Sequence, residues 1–367
     1  MPRYDFSRLS VLVVEDSKFM QSIFTNVLKA LGVERISIAT DGEEAITMLT
    51  PVQGASKEFK GMTGFDVVIS DYFMPKLDGS MLLLWVRRAN LSPDRFLPFI
   101  MVSAAADRDV LFKARDSGVS EFLAKPFSAD MVAQRMVTAI EHPRQFIYCS
   151  TYFGPDRRRQ SRPVDRELRE TAPDDIETIY TGKALGDLKN SKKKVWHFRL
   201  PNRLRQKLSI GMSTDPNEPA FSPDLLTQAE DMISNMETDY ADWVADSVKT
   251  LRDALNRAIE DPDSAEEHLA KIHEIALELR GQGNMFGYPL MTQFGKSLYE
   301  FSHRDMTVTP QLLDLIKAHT DLINVVIQQR MKGDGGPVGK DLMNSLDEAK
   351  KKYAIRQREA EIEAGEP

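Results

Sequence analysis

A single cysteine, Cys149, stands in 367 residues. That excludes an intrachain disulfide framework and any metal site built from clustered thiolates. No apolar run approaches the ~20 residues that span a bilayer, and the N-terminus lacks a signal-peptide core ahead of its first strand. A soluble, cytoplasmic protein with no membrane partner is expected. A strong charge of one sign is missing too. The 48 Lys and Arg against 55 Asp and Glu leave −7, so the whole chain does not read as a nucleic-acid coat, although a local basic stretch can still meet polyanions. No helix-turn-helix with a basic recognition helix is found, so direct DNA binding is not expected.

What is present suffices for real cores: 42% hydrophobic and 28% charged residues. At roughly 150 residues per domain, the length suggests two domains with a linker or tail. From Leu9 to about His142, short apolar runs alternate with helical patterns. Val11–Val14, Ile36–Ala39, Phe65–Ile69, Pro98–Val102 and Glu121–Ala124 are continuous and rich in β-branched or aromatic residues. Such runs suit strands buried on both faces of a parallel sheet. Phe19–Leu31, Glu43–Leu49, Ser80–Arg88, Arg108–Ser117 and Ala129–Ile140 carry helical spacing between them. The (βα)5 alternation predicts an α/β doubly wound domain over residues 1–142.

The acids of that domain fall at strand ends. Glu15-Asp16 follow the first strand and Asp71 ends the third. In a doubly wound sheet these carboxyl ends line the ligand crevice. Three carboxylates converging there repel one another unless they share a cation, which implies a hard, oxygen-liganded ion such as Mg²⁺. Ser103 ends the fourth strand and Lys125-Pro126 the fifth. A cation, a hydroxyl and an ammonium around one carboxylate favour phosphoryl transfer to it. A lone acid of this kind is better read as a solvated turn residue; the whole set is not.

With these residues in view, the stretch 9–142 resembles the receiver domain of bacterial response regulators. The acidic pair Glu15-Asp16, Asp71, Ser103 and Lys125-Pro126 occur in order. Met74-Pro75 and Asp78-Gly79 match the loop after the acceptor, and Thr40–Ala45 matches the turn after the second strand. The resemblance implies that Asp71 takes a phosphoryl group from a histidine kinase or a histidine phosphotransfer (HPt) donor. It implies Mg²⁺ on Asp16, Asp71 and the backbone carbonyl of Phe73, with Glu15 assisting. Ser103 and Lys125 are expected on the phosphoryl oxygens, and Phe122 as the aromatic that responds to Ser103. Two departures stand out: the bulk of Phe73 beside the pocket, and a long Gly-rich connection at Pro51–Gly64.

Residues 221–332 are helical in pattern and predict an all-α, four-helix bundle with short loops. Ser222-Pro223-Asp224 opens the first helix, Ser264–Glu267 fits a capping box for the second, and Tyr288-Pro289 and Thr309-Pro310 open two more. Leu269, Ile272, Ala276, Leu279 and Gly283 form the core stripe of the second helix. Ala276–Gly287 resembles the signature of HPt domains. There an exposed histidine is followed two residues later by an apolar residue, then a basic residue and Gly, with another Gly six further on. Leu279, Arg280, Gly281 and Gly287 match, but the histidine position is Leu277, which has no nitrogen nucleophile. Gly281 leaves space beside Leu277, and that face is the expected contact for a downstream protein partner or for the receiver itself. His273, one turn earlier and followed by Glu274, is the alternative phosphohistidine, although a surface or half-buried histidine on an amphipathic helix is the plainer reading. His268, His303 and His319 read the same way.

Residues 143–220 lose periodicity and read as a basic linker in which short helical or extended pieces are open, with Arg157-Arg158-Arg159 and Lys192-Lys193-Lys194. Arg158 and Arg162 have the RxxxR spacing that opens the cyclic-dinucleotide site of PilZ domains. The Asp/Asn-x-Ser-x-x-Gly element of that family does not follow, so a linker or docking peptide is the expectation and a nucleotide sensor the alternative. Residues 333–367 form a charged tail with Leu342, Leu346, Ala349 and Tyr353 on one side, for which packing, dimerisation and disorder are all open. The combined expectation is a two-component signalling protein rather than an enzyme: a receiver joined to an HPt-like bundle without its phosphoacceptor.

Overall fold

The computed structural model describes residues 2–50, 64–103, 108–157, 176–179, 195–303 and 306–363. The chain divides into two compact units, 1–233 and 234–367, with the boundary inside one helix.

The first unit opens with β1 (Ser10–Val14), α1 (Lys18–Ala30), β2 (Arg35–Ala39) and α2 (Gly42–Leu49). It continues with β3 (Val67–Asp71), α3 (Gly79–Arg88), β4 (Phe99–Ser103), α4 (Arg108–Ser117), β5 (Glu121–Ala124) and α5 (Ala129–Glu141). The five strands are parallel in the order β2-β1-β3-β4-β5, the doubly wound arrangement. β1 and β4 are buried at every position, as their unbroken apolar runs require, whereas the edge strands β2 and β5 are partly exposed. Register sets the chemistry. Val14 lies opposite Ser70, so Glu15 and Asp16 emerge beside Asp71, and Ser103 pairs with Ala124, immediately before Lys125. Leu12, Val14, Val68, Phe99 and Met101 share one core cluster with Leu82, Leu83 and Val86 of α3. Residues 51–63 of the Gly-rich connection lie outside the described residues.

Where the sequence suggests a linker, the structure builds a second sheet. β6 (Phe146–Tyr148), β7 (Phe153–Pro155), β8 (Ile176–Ile179) and β9 (Val195–Phe198) lie in the order β7-β6-β9-β8. Its core is aromatic: Phe146, Phe153, Trp196 and Phe198, with Phe96 of the α3–β4 connection packed among them. The strands are three or four residues long, too short to show an alternation of their own. β6 and β7 pair locally, but their remaining packing partners, Phe96, Trp196 and Phe198, lie some 40–60 residues away in sequence, which is why periodicity missed the sheet. Beneath this sheet Arg87 is fully buried. It donates to the carbonyls of Gly118 (2.9 Å), Arg95 (2.8 Å) and Leu97 (2.9 Å), and its guanidinium lies 5.1 Å from the centre of the Phe146 ring. Burial lowers its pKa to about 10. Helix α6 (Arg203–Leu208) follows. The N-terminal residues tie back to this region: the Phe6 ring stacks on Phe221 at 4.1 Å, and the Asp5 amide donates to Leu208 O at 2.9 Å. The RxxxR pair Arg158 and Arg162 lies outside the described residues.

The second unit is helical. It holds most of α7 (Pro223–Glu260), then α8 (Ala265–Gln282), α9 (Pro289–Phe301), α10 (Pro310–Gln328) and α11 (Gly336–Glu363). Met236, Val244, Val248, Leu251 and Leu255 of α7 are buried, as are all five residues of the expected α8 stripe. α9 comes close to α8 at Gly295, where any side chain would run into the Arg280 amide and the Leu279 carbonyl carbon. Two sequence expectations fail here. The Ser264 hydroxyl makes no capping bond to α8 and instead donates back to Asp261 Oδ2 at 2.7 Å, so the capping box is not formed. His319, expected at the surface or half-buried, is fully buried because Leu315 and Ser297 supply partners for both ring nitrogens. The tail forms α11 and packs on α10. Leu346 and Tyr353 are buried, and Tyr353 meets Phe301 edge-on at 5.7 Å. Among the described residues, no helix is long and apolar enough to cross a membrane.

Candidate phosphoacceptor site

The carboxyl ends of β1 and β3 bring Glu15, Asp16 and Asp71 together, with one ligand oxygen from each lying within 4.8 Å of the others. Glu15 is buried, and Asp16 and Asp71 are partly exposed. Burial is the main force that raises the pKa of Glu15, and nearby Asp71 and Asp16 push it further up. Asp16 is raised by the same two effects, desolvation first and then the charge of Asp71. These acids are short of positive charge.

Among the described residues, the ammonium that enters the cluster belongs to Lys125, which is buried just after β5. Its Nζ lies 2.8 Å from Asp71 Oδ2 and 3.2 Å from Glu15 Oε2. Burial opposes its charge, but Asp71 and Glu15 outweigh that opposition and hold its pKa above the ordinary lysine value. The Lys125 amide donates to Ser103 O at 2.8 Å, which fixes the residue ending β4 beside the residue ending β5. Ser103 is fully buried. Asp71 is oriented by the Tyr72 amide, which donates to its Oδ1 at 2.7 Å. Phe73 and Phe122 are both partly buried against the core cluster beneath the site, and Phe122 pairs with Met101 one position before Val102 on β4.

The donor set fits a hard cation: three carboxylates, two of them reachable from solvent, at a spacing that one ion can bridge. Gly79 at the start of α3 shows how tightly Asp71 is framed. A Cβ there would run into the Asp71 carbonyl oxygen. The sequence reading missed one further pair. Lys76, in the loop after β3, takes a left-handed φ of 59° and places Nζ 2.6 Å from Asp41 Oδ2. Asp41 in turn caps α2 by accepting from the Glu44 amide at 2.9 Å. The Gly42 amide donates to Leu77 O at 3.0 Å, so α2 and the loop carrying Phe73 are pinned together.

Residues 11–137 match the response regulator receiver domain family. The chain is 31% identical over 133 residues to chemotaxis protein CheY of Pseudomonas aeruginosa, covering 36% of this chain and 97% of that one. The chain belongs to the response regulator receiver family. Chemotaxis protein CheY-3 of Vibrio cholerae is also 31% identical, over 128 residues, 35% of this chain and 88% of its own. Among solved structures, Vibrio cholerae CheY4 is 25% identical over 35% of this chain and 96% of its own, with a TM-score of 0.29. The receiver domain accounts for the doubly wound sheet and its acidic cluster, and two-component signalling is its setting.

The second cluster singled out by sequence lies on α8. Leu277 and Gly281 are both half-buried, so the leucine is less exposed than expected. His273 is half-buried, with Nδ1 3.2 Å from Ser302 Oγ, its ring stacked on Tyr299 at 4.1 Å and edge-on to His303 at 5.7 Å. Gly287 takes a left-handed φ of 77° and closes the turn ahead of α9. That turn explains this glycine without reference to a partner.

Proposed function

We propose that this chain is a phosphorelay response regulator whose phosphoacceptor is Asp71. The observation that carries the reading is the shared ammonium: Lys125 bridges Asp71 and buried Glu15 in an acidic cluster whose other two carboxylates, Asp16 and Asp71, are partly exposed. A carboxylate oxygen of Asp71 attacks the phosphorus of a phosphohistidine on a histidine kinase or HPt donor. The P–N bond breaks and its electron pair returns to the imidazole. Lys125 and Ser103 receive the phosphoryl oxygens, so the ammonium moves its allegiance from Glu15 to the new charge. Phe122 follows Ser103. Mg²⁺, held by Asp16, Asp71 and the Phe73 carbonyl with Glu15 behind them, would supply the charge that lets two anions approach.

The helical unit is the output in this reading. It acts as an HPt-like four-helix bundle that cannot carry phosphate at Leu277 and instead meets a downstream protein through the face containing Leu277 and Gly281. The matching sequence Leu279-Arg280-Gly281 supports this assignment. Calorimetric titration of the full chain with Mg²⁺ tests the acceptor pocket. Binding heat that disappears in Asp16→Asn is expected, and equal binding in both proteins contradicts the ligand set.

A further inference from the structure

The strand end that carries Lys125 leads directly into a contact far away in sequence. Lys125-Pro126-Phe127-Ser128 joins β5 to α5, and each of the last two residues is anchored. Phe127 packs on Phe24 of α1 with ring centres 5.0 Å apart. The Ser128 hydroxyl caps α5 by accepting from the Met131 amide at 3.2 Å. Ala129, the first residue of α5, has an amide with no partner inside its own helix. It donates instead to Glu230 Oε2 of α7 at 2.7 Å, across 101 residues of sequence. A carboxylate is the favoured partner at that end of a helix, where the peptide dipoles leave partial positive charge. The neighbouring Ala229 is fully buried, so α7 is seated at this point rather than merely passing it. From Glu230 the helix runs on to Glu260.

We infer that Glu230 is a positioning residue of the acceptor site, holding the N-terminus of α5 and through it the segment that carries Lys125. The inference rests on the reading of Asp71 as phosphoacceptor and adds to it the element that senses the charge. Phosphorylation draws the Lys125 ammonium toward the phosphoryl oxygens, and the displacement has four residues in which to reach the Ala129 amide. Coupling is reciprocal: if Glu230 biases the placement of Lys125, the state of Asp71 biases the seating of α7 by the same factor. The route runs through one charge-assisted hydrogen bond with atoms that can be changed singly.

The test compares the full-length parent with Glu230→Ala and Glu230→Gln. Glu230 is exposed, so both variants are expected to keep the fold and to unfold thermally only slightly below the parent, Glu230→Ala more than Glu230→Gln. Each protein is charged with acetyl phosphate and Mg²⁺. Label on Asp71 is mapped, and amide exchange of peptide 223–236 is measured with and without Mg²⁺ and beryllofluoride. In the parent, exchange in this peptide should change several-fold on charging. Glu230→Ala should lose most of that change, and Glu230→Gln, whose amide oxygen still accepts from Ala129, should keep part of it. Labelled Asp71 with no exchange response in the parent, or with the same response in Glu230→Ala, overturns the inference alone. No label on Asp71 in the parent overturns the acceptor reading, and the inference falls with it.

Discussion

Lys76 reaches from the loop after β3 to Asp41, Nζ to Oδ2 at 2.6 Å, and so ties the loop after Asp71 to the start of α2. The ion pair and the Glu44 amide lower the pKa of Asp41, the lysine contributing most. Asp41→Ala removes both the helix cap and the tie. A loss of about 1–2 kcal/mol is expected in urea unfolding, the ordinary cost of an N-cap. Lys76→Met should leave stability nearly unchanged, because its side chain is 63% exposed. It should nevertheless weaken Mg²⁺ binding, because the loop with the Phe73 carbonyl is less restrained. Unchanged Mg²⁺ affinity in Lys76→Met would mean that the loop holds its own shape.

Arg87 of α3 is a fully buried cation of the first unit. It satisfies three backbone carbonyls from inside the protein. Arg87→Met fills similar volume but leaves those carbonyls without a donor, at an expected cost of about 3–5 kcal/mol. Since Phe146 lies over the guanidinium, the second sheet should loosen as well, and Trp196 emission should report a wetter indole. A variant as stable as the parent would show that water replaces the guanidinium.

His319 gives the helical unit a pH dependence with a definite sign. The Leu315 carbonyl can only accept, so Nδ1 carries the proton, and Nε2 accepts from the Ser297 hydroxyl at 2.8 Å. Burial lowers the pKa to about 4. In the unfolded chain the value returns to about 6.5, so below that pH the unfolded state binds the proton first. The unit is therefore at full stability above about pH 6.5 and loses it progressively as the pH falls toward 4. Between pH 7 and 5 the parent should lose about 2 kcal/mol more than His319→Gln. Urea unfolding of both proteins at both pH values measures the difference. Parallel losses would contradict a neutral buried imidazole.

The receiver fold, and the meeting of its acids, were legible because β1 and β3 are apolar runs that lead into the carboxylates the structure brings together. Val11–Val14 runs into Glu15-Asp16, and Val67–Ser70 into Asp71. No comparable signal marks the second sheet. Phe146, Phe153 and Phe198 gain their meaning from one another and from Phe96, and a cluster assembled across some hundred residues leaves no local period. Ser264 failed as a capping box because Asp261 competes for its hydroxyl. His319 was misread because its partner Ser297 sits 22 residues away on another helix. Glu230 carries no signal at all: a glutamate on an amphipathic helix is the commonest of surface residues.

Site mapping of the phosphoryl group tests the account most directly. The full-length parent, Asp71→Asn and His273→Ala are incubated with acetyl phosphate, with and without Mg²⁺, and the label is located by mass spectrometry. The account predicts a hydroxylamine-labile phosphoryl group on Asp71 in the parent and in His273→Ala. It predicts dependence on Mg²⁺ and loss of the label in Asp71→Asn. Undiminished labelling of Asp71→Asn, or an acid-labile phosphoryl group on His273, would contradict it.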